Sequence, residues 1–319
     1  MTLHGARAWL LVWLALSLGC GAASAEQRVL RIGYQKYGTL VLEKTRGTLE
    51  KRLAPLGVTV TWTEFLGGPA LLEAMGAESI DFGITGDAPP IFAQAAGVPL
   101  VYVGVEPASP HGEAVIVLDG SPIKSVADLR GKRVALNRGS NVHNLLVRVL
   151  QANGMSITDV NTVFLKPSDA RPAFENGAVD AWAIWDPYLA AAETAIKTRK
   201  IADGVAADGR VIDENREYFL ATRDYAAANA DVIRALMADL TASEAYAAAH
   251  HAEMVSLLAP AMGMDPAAVK RAIDRLAFGV QPMTDALFAS QQNIADVFTG
   301  LHLIPKKLDL QETRAPKGS

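Results

Sequence analysis

Short apolar runs that end in a Gly-, Asp- or Pro-bearing turn and pass straight into helix-period sequence recur along this chain. That alternation restricts it to α/β architecture. Four junctions carry the pattern: Phe65-Leu66-Gly67-Gly68-Pro69, Ile84-Thr85-Gly86-Asp87-Ala88-Pro89-Pro90, Leu136-Asn137-Arg138-Gly139-Ser140-Asn141 and Ile184-Trp185-Asp186-Pro187. Periodicity predicts strands over 29–35, 58–65, 80–85, 100–105, 114–118, 132–137, 162–165, 179–185 and 217–222. Helices are predicted over 40–53, 69–75, 89–96, 141–153, 168–176 and 188–198, which reads as a parallel arrangement. From 230 onward the pattern is helical alone, over 230–250, 252–258, 266–276 and 284–298.

The Pro/Gly-rich stretch Glu106–Gly112 reads as a hinge, and the strand near 217–222 as a return crossing. Two lobes are therefore expected: 26–108 with 221–319, and 109–220, with boundaries good to about ten residues. Ligands of open α/β sheets bind beyond the carboxyl ends of the strands, so the four junctions are expected to face one another across a cleft.

Residues 1–25 read as a cleavable export signal, with Arg7, an apolar stretch from Trp9 to Leu18, and Ala23-Ser24-Ala25 before Glu26. Cleavage after Ala25 is favoured over lipidation at Cys20, because Ser17 stands where a lipoprotein signal has an aliphatic residue. Cys20 is the only cysteine, so the mature chain has no thiol nucleophile, thiolate ligand or disulfide. With 34 acidic against 30 basic residues and no basic cluster, nothing points to nucleic acid. Hydrolase, metalloprotease and nucleotide-binding motifs are missing from the sequence, and His250-His251 cannot place both rings on one helix face. No metal or cofactor is expected.

Helix N-termini with free backbone N–H groups suit a small anion. At Gly139–His143, Gly139 permits the turn, Ser140 caps or donates its hydroxyl, Asn141 opens the helix, and His143 adds a donor from the first turn. The alternative is that Ser140 merely caps the helix and His143 lies on the surface. Asp87 is a helix-cap candidate whose backbone N–H, with that of Gly86, can serve an oxyanion. Trp185, at a strand end, offers an apolar wall, while Trp182, on the opposite face, belongs to the core. Asp186 caps the next helix, Gln35 offers an amide donor, and Gly68 marks the 65–69 turn.

Several strings resemble aliphatic sulfonate-binding proteins of bacterial ABC importers, and the resemblance covers nearly the whole mature chain. They include Arg31-Ile32-Gly33-Tyr34-Gln35-Lys36, Gly83 to Ala96, Val101 to Pro107, Ser121 to Leu129, Gly139 to Leu146, Val179 to Tyr188, and Pro305-Lys306-Lys307-Leu308-Asp309. The resemblance implies a type II periplasmic-binding fold, two α/β lobes joined by a two-crossing hinge. It also implies a monomeric periplasmic receptor that takes an alkanesulfonate and delivers it to a permease and its ATPase. Gln35, Gly68, Gly86, Asp87, Ser140, Asn141, His143, Trp185 and Asp186 are the pocket positions it implies. Taurine, nitrate or a pyrimidine precursor are the alternative ligands. An enzyme of the same fold is disfavoured, because such relatives use a cysteine that the mature chain lacks. Tyr37-Gly38 and 278–283 depart from the family pattern and are expected to shape the space around the alkyl group. Removing the Ser140 and His143 side chains together is expected to weaken sulfonate binding while leaving the ligand-free stability similar.

Overall fold

The computed structural model describes residues 28–316 and 318, so the export signal falls outside the described residues. Ten strands form two five-stranded sheets. Sheet one holds β1 (Arg28–Tyr34), β2 (Val58–Glu64), β3 (Phe82–Thr85), β4 (Leu100–Val105) and β10 (Tyr218–Thr222) in the order β2-β1-β3-β10-β4. Sheet two holds β5 (Glu113–Leu118), β6 (Arg133–Leu136), β7 (Asn161–Phe164), β8 (Ala181–Trp185) and β9 (Thr198–Asp203) in the order β7-β6-β8-β5-β9. The chain passes between the sheets twice, after β4 and after β9.

Each sheet has a parallel trio beside one antiparallel strand, β10 in the first and β5 in the second. The crossings explain the reversal. A chain leaving one sheet at a strand's carboxyl end enters the other sheet at its facing edge and runs away from the cleft. Accordingly the first residue of β5, Glu113, pairs with the last of β8, Trp185. In the same way Tyr218, at the start of β10, pairs with Thr85 at the end of β3. The expectation of parallel sheets thus holds for the trios and fails for the crossing strands.

Sequence and structure differ at three further places. The helix predicted over 40–53 is two, Thr39–Arg46 and Thr48–Leu53, because Gly47 adopts the left-handed conformation between them. Periodicity reveals neither the strand β9 nor the helix Arg223–Ala228. Sheet two encloses an apolar core that includes Ile116, Leu145 and Trp182. Sheet one is covered on both faces, by Leu40, Leu236 and Met254 on one side and by Leu71, Phe288 and Phe298 on the other. The C-terminal helices supply much of that cover. Among the described residues no helix is long and apolar enough to cross a membrane.

Candidate functional site

The strand ends of the two sheets meet at the Gly67–Gly68 turn, the Asn137–Ser140 turn and Trp185. Gly67 has an extended backbone, and a side-chain carbon there would lie 3.6 Å from the Trp185 ring and 3.3 Å from Asn137 Nδ2. A carbon at Gly68 would instead strike Pro89 at 2.8 Å and Thr85 at 3.0 Å, within the first lobe. Gly67 is therefore the glycine whose missing side chain leaves space between the lobes, and Gly68 owes its identity to packing. Trp185 is buried and meets Tyr188 edge-on, with ring centroids 5.9 Å apart. Trp182 lies in the core against Phe174.

The helix Asn141–Ala152 opens at this junction, after Gly139 with a left-handed φ of 73°. Ser140 does not cap it. Its hydroxyl donates to the Asn137 carbonyl at 2.8 Å, and the helix has no side-chain cap. The His143 N–H is taken by the Ser140 carbonyl, whereas the N–H groups of Asn141 and Val142 have no protein acceptor among the described residues. A buried helix N-terminus with two free donors is the arrangement an anion fills.

His143 is not the surface ring of the alternative reading, and its Nε2 has no hydrogen-bond partner among the described residues. It is buried and accepts the Gly139 N–H on Nδ1 at 3.2 Å, so its proton sits on Nε2. The ring stacks on Phe92 at 5.9 Å and packs against Phe298 and Phe164. Burial, reinforced by the Arg138 charge, lowers its pKa to about 4, so the ring is neutral. Phe92 and Phe298 come from the first lobe, which makes His143 an inter-lobe packing residue.

Asp87 is likewise not a cap. The following helix begins after Ala88 without a side-chain cap, and Asp87 Oδ2 accepts from Asn144 Nδ2 at 2.9 Å. The same Asn144 amide reaches Asp213 at 3.0 Å, on the second crossing. Asn141 also turns its side chain to the hinge, donating to Glu113 at 2.7 Å and to Asn215 at 3.1 Å, while Asn215 donates to the Ser109 carbonyl. A carbon at Gly86 would lie 2.7 Å from Asn141 Cβ, so Gly86 lets the lobes touch there. Gln35 spends its amide donor on the Ile84 carbonyl at 3.0 Å, tying β1 to β3. Burial, with charge repulsion from neighbouring acids, raises the pKa values of Asp87, Glu113 and Glu217 well above the ordinary carboxyl range.

Asp186 accepts the Ala190 N–H at 2.9 Å, as a residue ahead of that helix can, and it is fully buried. It also pairs with Arg275 at 3.2 Å, which follows the helix Pro266–Ile273 of the C-terminal segment. Burial pushes the Asp186 pKa up to about 6 against the pull of the guanidinium. Glu193 on the same helix as Ala190 bonds Arg271 at 3.0 Å and also Arg275.

A cavity of about 300 Å³ is walled mainly by Leu66, Trp182, Tyr188, Met262 and Met264, with Lys36 and Arg171 also lining it. Tyr37, Gly38 and Phe278 come together elsewhere, around an apolar space of about 30 Å³ under the C-terminal helices. Gly67, Asn137 and Tyr188 were not singled out by sequence, although Gly67 and Asn137 stand in the junctions that were. No group of three or more acidic or His side chains suited to a metal occurs among the described residues.

A model of the NMT1/THI5-like family matches residues 57–254. The chain belongs to that family. It is 40% identical to the alkanesulfonate-binding protein SsuA of Xanthomonas axonopodis pv. citri, solved with MOPS bound, at a TM-score of 0.85 over 91% of this chain and 99% of that one. It is 42% identical to the periplasmic aliphatic sulphonate-binding protein SsuA of Escherichia coli, at a TM-score of 0.80 over 91% of this chain and 92% of that one. The desulfurization enzyme DSZB shares the fold alone, with a TM-score of 0.65 and 15% identity over 91% of this chain and 97% of that one. The family members of high identity are thus binding proteins, and the two-lobed α/β fold is theirs.

Proposed function

We propose that this chain is the extracytoplasmic receptor of an ABC importer, capturing aliphatic sulfonates between its lobes and presenting them to a membrane permease and ATPase. The observation that carries this is the uncapped helix N-terminus at Asn141 and Val142, buried beside Gly67, Asn137 and Trp185. Likeness to sulfonate-binding proteins supports it. A sulfonate stays ionised across the physiological range, so fixed N–H dipoles recognise it without a proton-transfer partner. Ser140, Asn141, Gly67, Asn137 and Trp185 are the residues we assign to the head group. His143, Asp87, Gln35, Gly86 and Asp186 hold the lobes and the junctions in place.

The lobes we assign are 26–108 with 221–319, and 109–220, to within about ten residues, β10 belonging to the first. The chain acts as a monomer in the periplasm after loss of residues 1–25, and it turns over no substrate. The mature sequence has no cysteine to carry thiol chemistry.

Titration calorimetry with ethanesulfonate, taurine and nitrate tests this reading. The expected outcome is a micromolar dissociation constant for ethanesulfonate, about −8 kcal/mol. At a hundredfold excess over that constant, ligand stabilises the protein by about 2.7 kcal/mol, visible as a raised unfolding temperature. Tighter binding of nitrate or taurine than of ethanesulfonate refutes the assignment.

A further inference from the structure

The 300 Å³ cavity is of the size that encloses a small organic group, and most of its wall is apolar. Its position follows from two adjacencies. Leu66 directly precedes Gly67, and Tyr188 meets the Trp185 ring edge-on, so two of its wall residues neighbour residues of the head-group junction. Among the described residues that line it, the charged ones are Lys36 and Arg171, and no carboxylate joins them.

Both cations keep donors to spare. Lys36 reaches Glu64 only at 3.8 Å. Arg171 bonds Glu175 through Nε at 2.7 Å, and its two terminal nitrogens have no protein partner among the described residues. The two come from different lobes, Lys36 from the turn after β1 and Arg171 from the helix Pro167–Glu175. The cavity wall therefore draws one cation from each lobe.

We propose that this cavity receives the organic end of the ligand and that Lys36 and Arg171 select for a second anionic group there. The preferred ligands are then organic sulfonates bearing a distal carboxylate, ahead of plain alkanesulfonates and of sulfonates bearing an ammonium. The proposal rests on the sulfonate reading of the head-group site. Such a ligand spans the cleft with its sulfonate on the Asn141 helix N-terminus and its carboxylate between the two cations, touching both lobes. An ammonium at the same place faces like charge, with Glu64 and Glu175 already paired to the two cations.

The experiment compares ligands of one length on the purified protein by calorimetry: 3-sulfopropionate against propanesulfonate, with taurine against ethanesulfonate as the cationic arm. Exposed ion pairs are modest, so the expected preference for the sulfocarboxylate is about three- to tenfold at low salt, shrinking as salt is raised. In the Lys36→Met/Arg171→Met double variant the ratio falls to about one, whereas Lys36→Arg/Arg171→Lys retains it. Unfolding temperature monitors the fold of each variant. A wild-type ratio of one or less overturns the proposal and leaves the sulfonate reading standing, as does a ratio unaffected by the methionine variant. Absence of binding by every sulfonate overturns both.

Discussion

Arg275 offers the sharpest test of how the C-terminal helices hold the second lobe. Replacing it with methionine keeps most of the aliphatic stem but leaves Asp186 fully buried with its one bonded cation gone. Glu193 keeps Arg271 at 3.0 Å, so the loss centres on Asp186. Removing one partner of a buried pair costs about 3–5 kcal/mol, and the partial exposure of Arg275 favours the lower end. For a chain of this size about 3 kcal/mol corresponds to roughly 6 °C in unfolding temperature. The sign of the pH dependence follows from the Asp186 pKa of about 6, raised from its ordinary 3.8. A carboxyl raised in the folded state contributes fully below its unfolded pKa and loses that contribution as pH rises through the folded value. At pH 5 the buried group is mostly protonated and needs no cation, while at pH 8 it is ionised and does. The Arg275→Met deficit should therefore be largest at pH 8 and shrink at pH 5, and adding Asp186→Asn should recover most of it. Thermal unfolding at the two pH values measures both. An equal deficit at pH 5 and pH 8 would show that the arginine acts by packing alone.

Other outcomes follow from the same contacts. Gly67→Ala should weaken ethanesulfonate binding about tenfold with little change in unfolding temperature, because its new carbon enters the inter-lobe space. Gly68→Ala should instead cost about 1–3 kcal/mol of stability by overpacking Pro89 and Thr85, seen in chemical denaturation. His143→Ala, contrary to the expectation from sequence, should destabilise the ligand-free protein by about 2 kcal/mol or more, since it empties a space between Phe92 and Phe298. Sulfonate affinity should fall as pH rises and the buried carboxyls behind the site, raised by burial, ionise, and Glu113→Gln should flatten that profile; a level wild-type profile would refute it.

Much of the fold is legible because buried strands and amphipathic helices have different periods, and the four junctions stand out as turns between them. Periodicity carries no direction, which is why the antiparallel entry of β5 and β10 is not legible. β9 hides because Thr198-Arg199-Lys200 is polar, as suits a half-buried edge strand. At the site, sequence locates the turns but not the allocation of side chains within them. Ser140 and Asp186 stand where caps belong, yet Ser140 bonds back to Asn137 while Asp186 does serve its helix. Asp87 and Asn141 have the chemistry of ligand contacts and spend it between the lobes, while His143 packs its ring against the first lobe. The partners that draw them there, Phe298, Asn144 and Asn215, lie far from them along the chain and leave no local trace.

An anion site backed by carboxyl groups needs an electrostatic account. Glu113 touches the Asn141 amide at the head of the anion helix, and Asp87, Asp213 and Glu217 lie in the same hinge region. If all four were ionised they would oppose the helix dipole at close range in a medium that screens poorly. Burial resolves the conflict. It raises the pKa values of Glu113, Asp87 and Glu217 well above the ordinary range, while Asp213, at about 6, has Arg148 nearby to favour its charged form. Burial thus favours the neutral forms of Glu113, Asp87 and Glu217, and Asn141 and Asn144 donate their amides to Glu113, Asp87 and Asp213. What remains to act on an anion in the cleft is the pair of free N–H groups at Asn141 and Val142 and the cations at the rim. The overall acidity of the chain then governs solubility, and the field within the cleft is set by those few oriented groups.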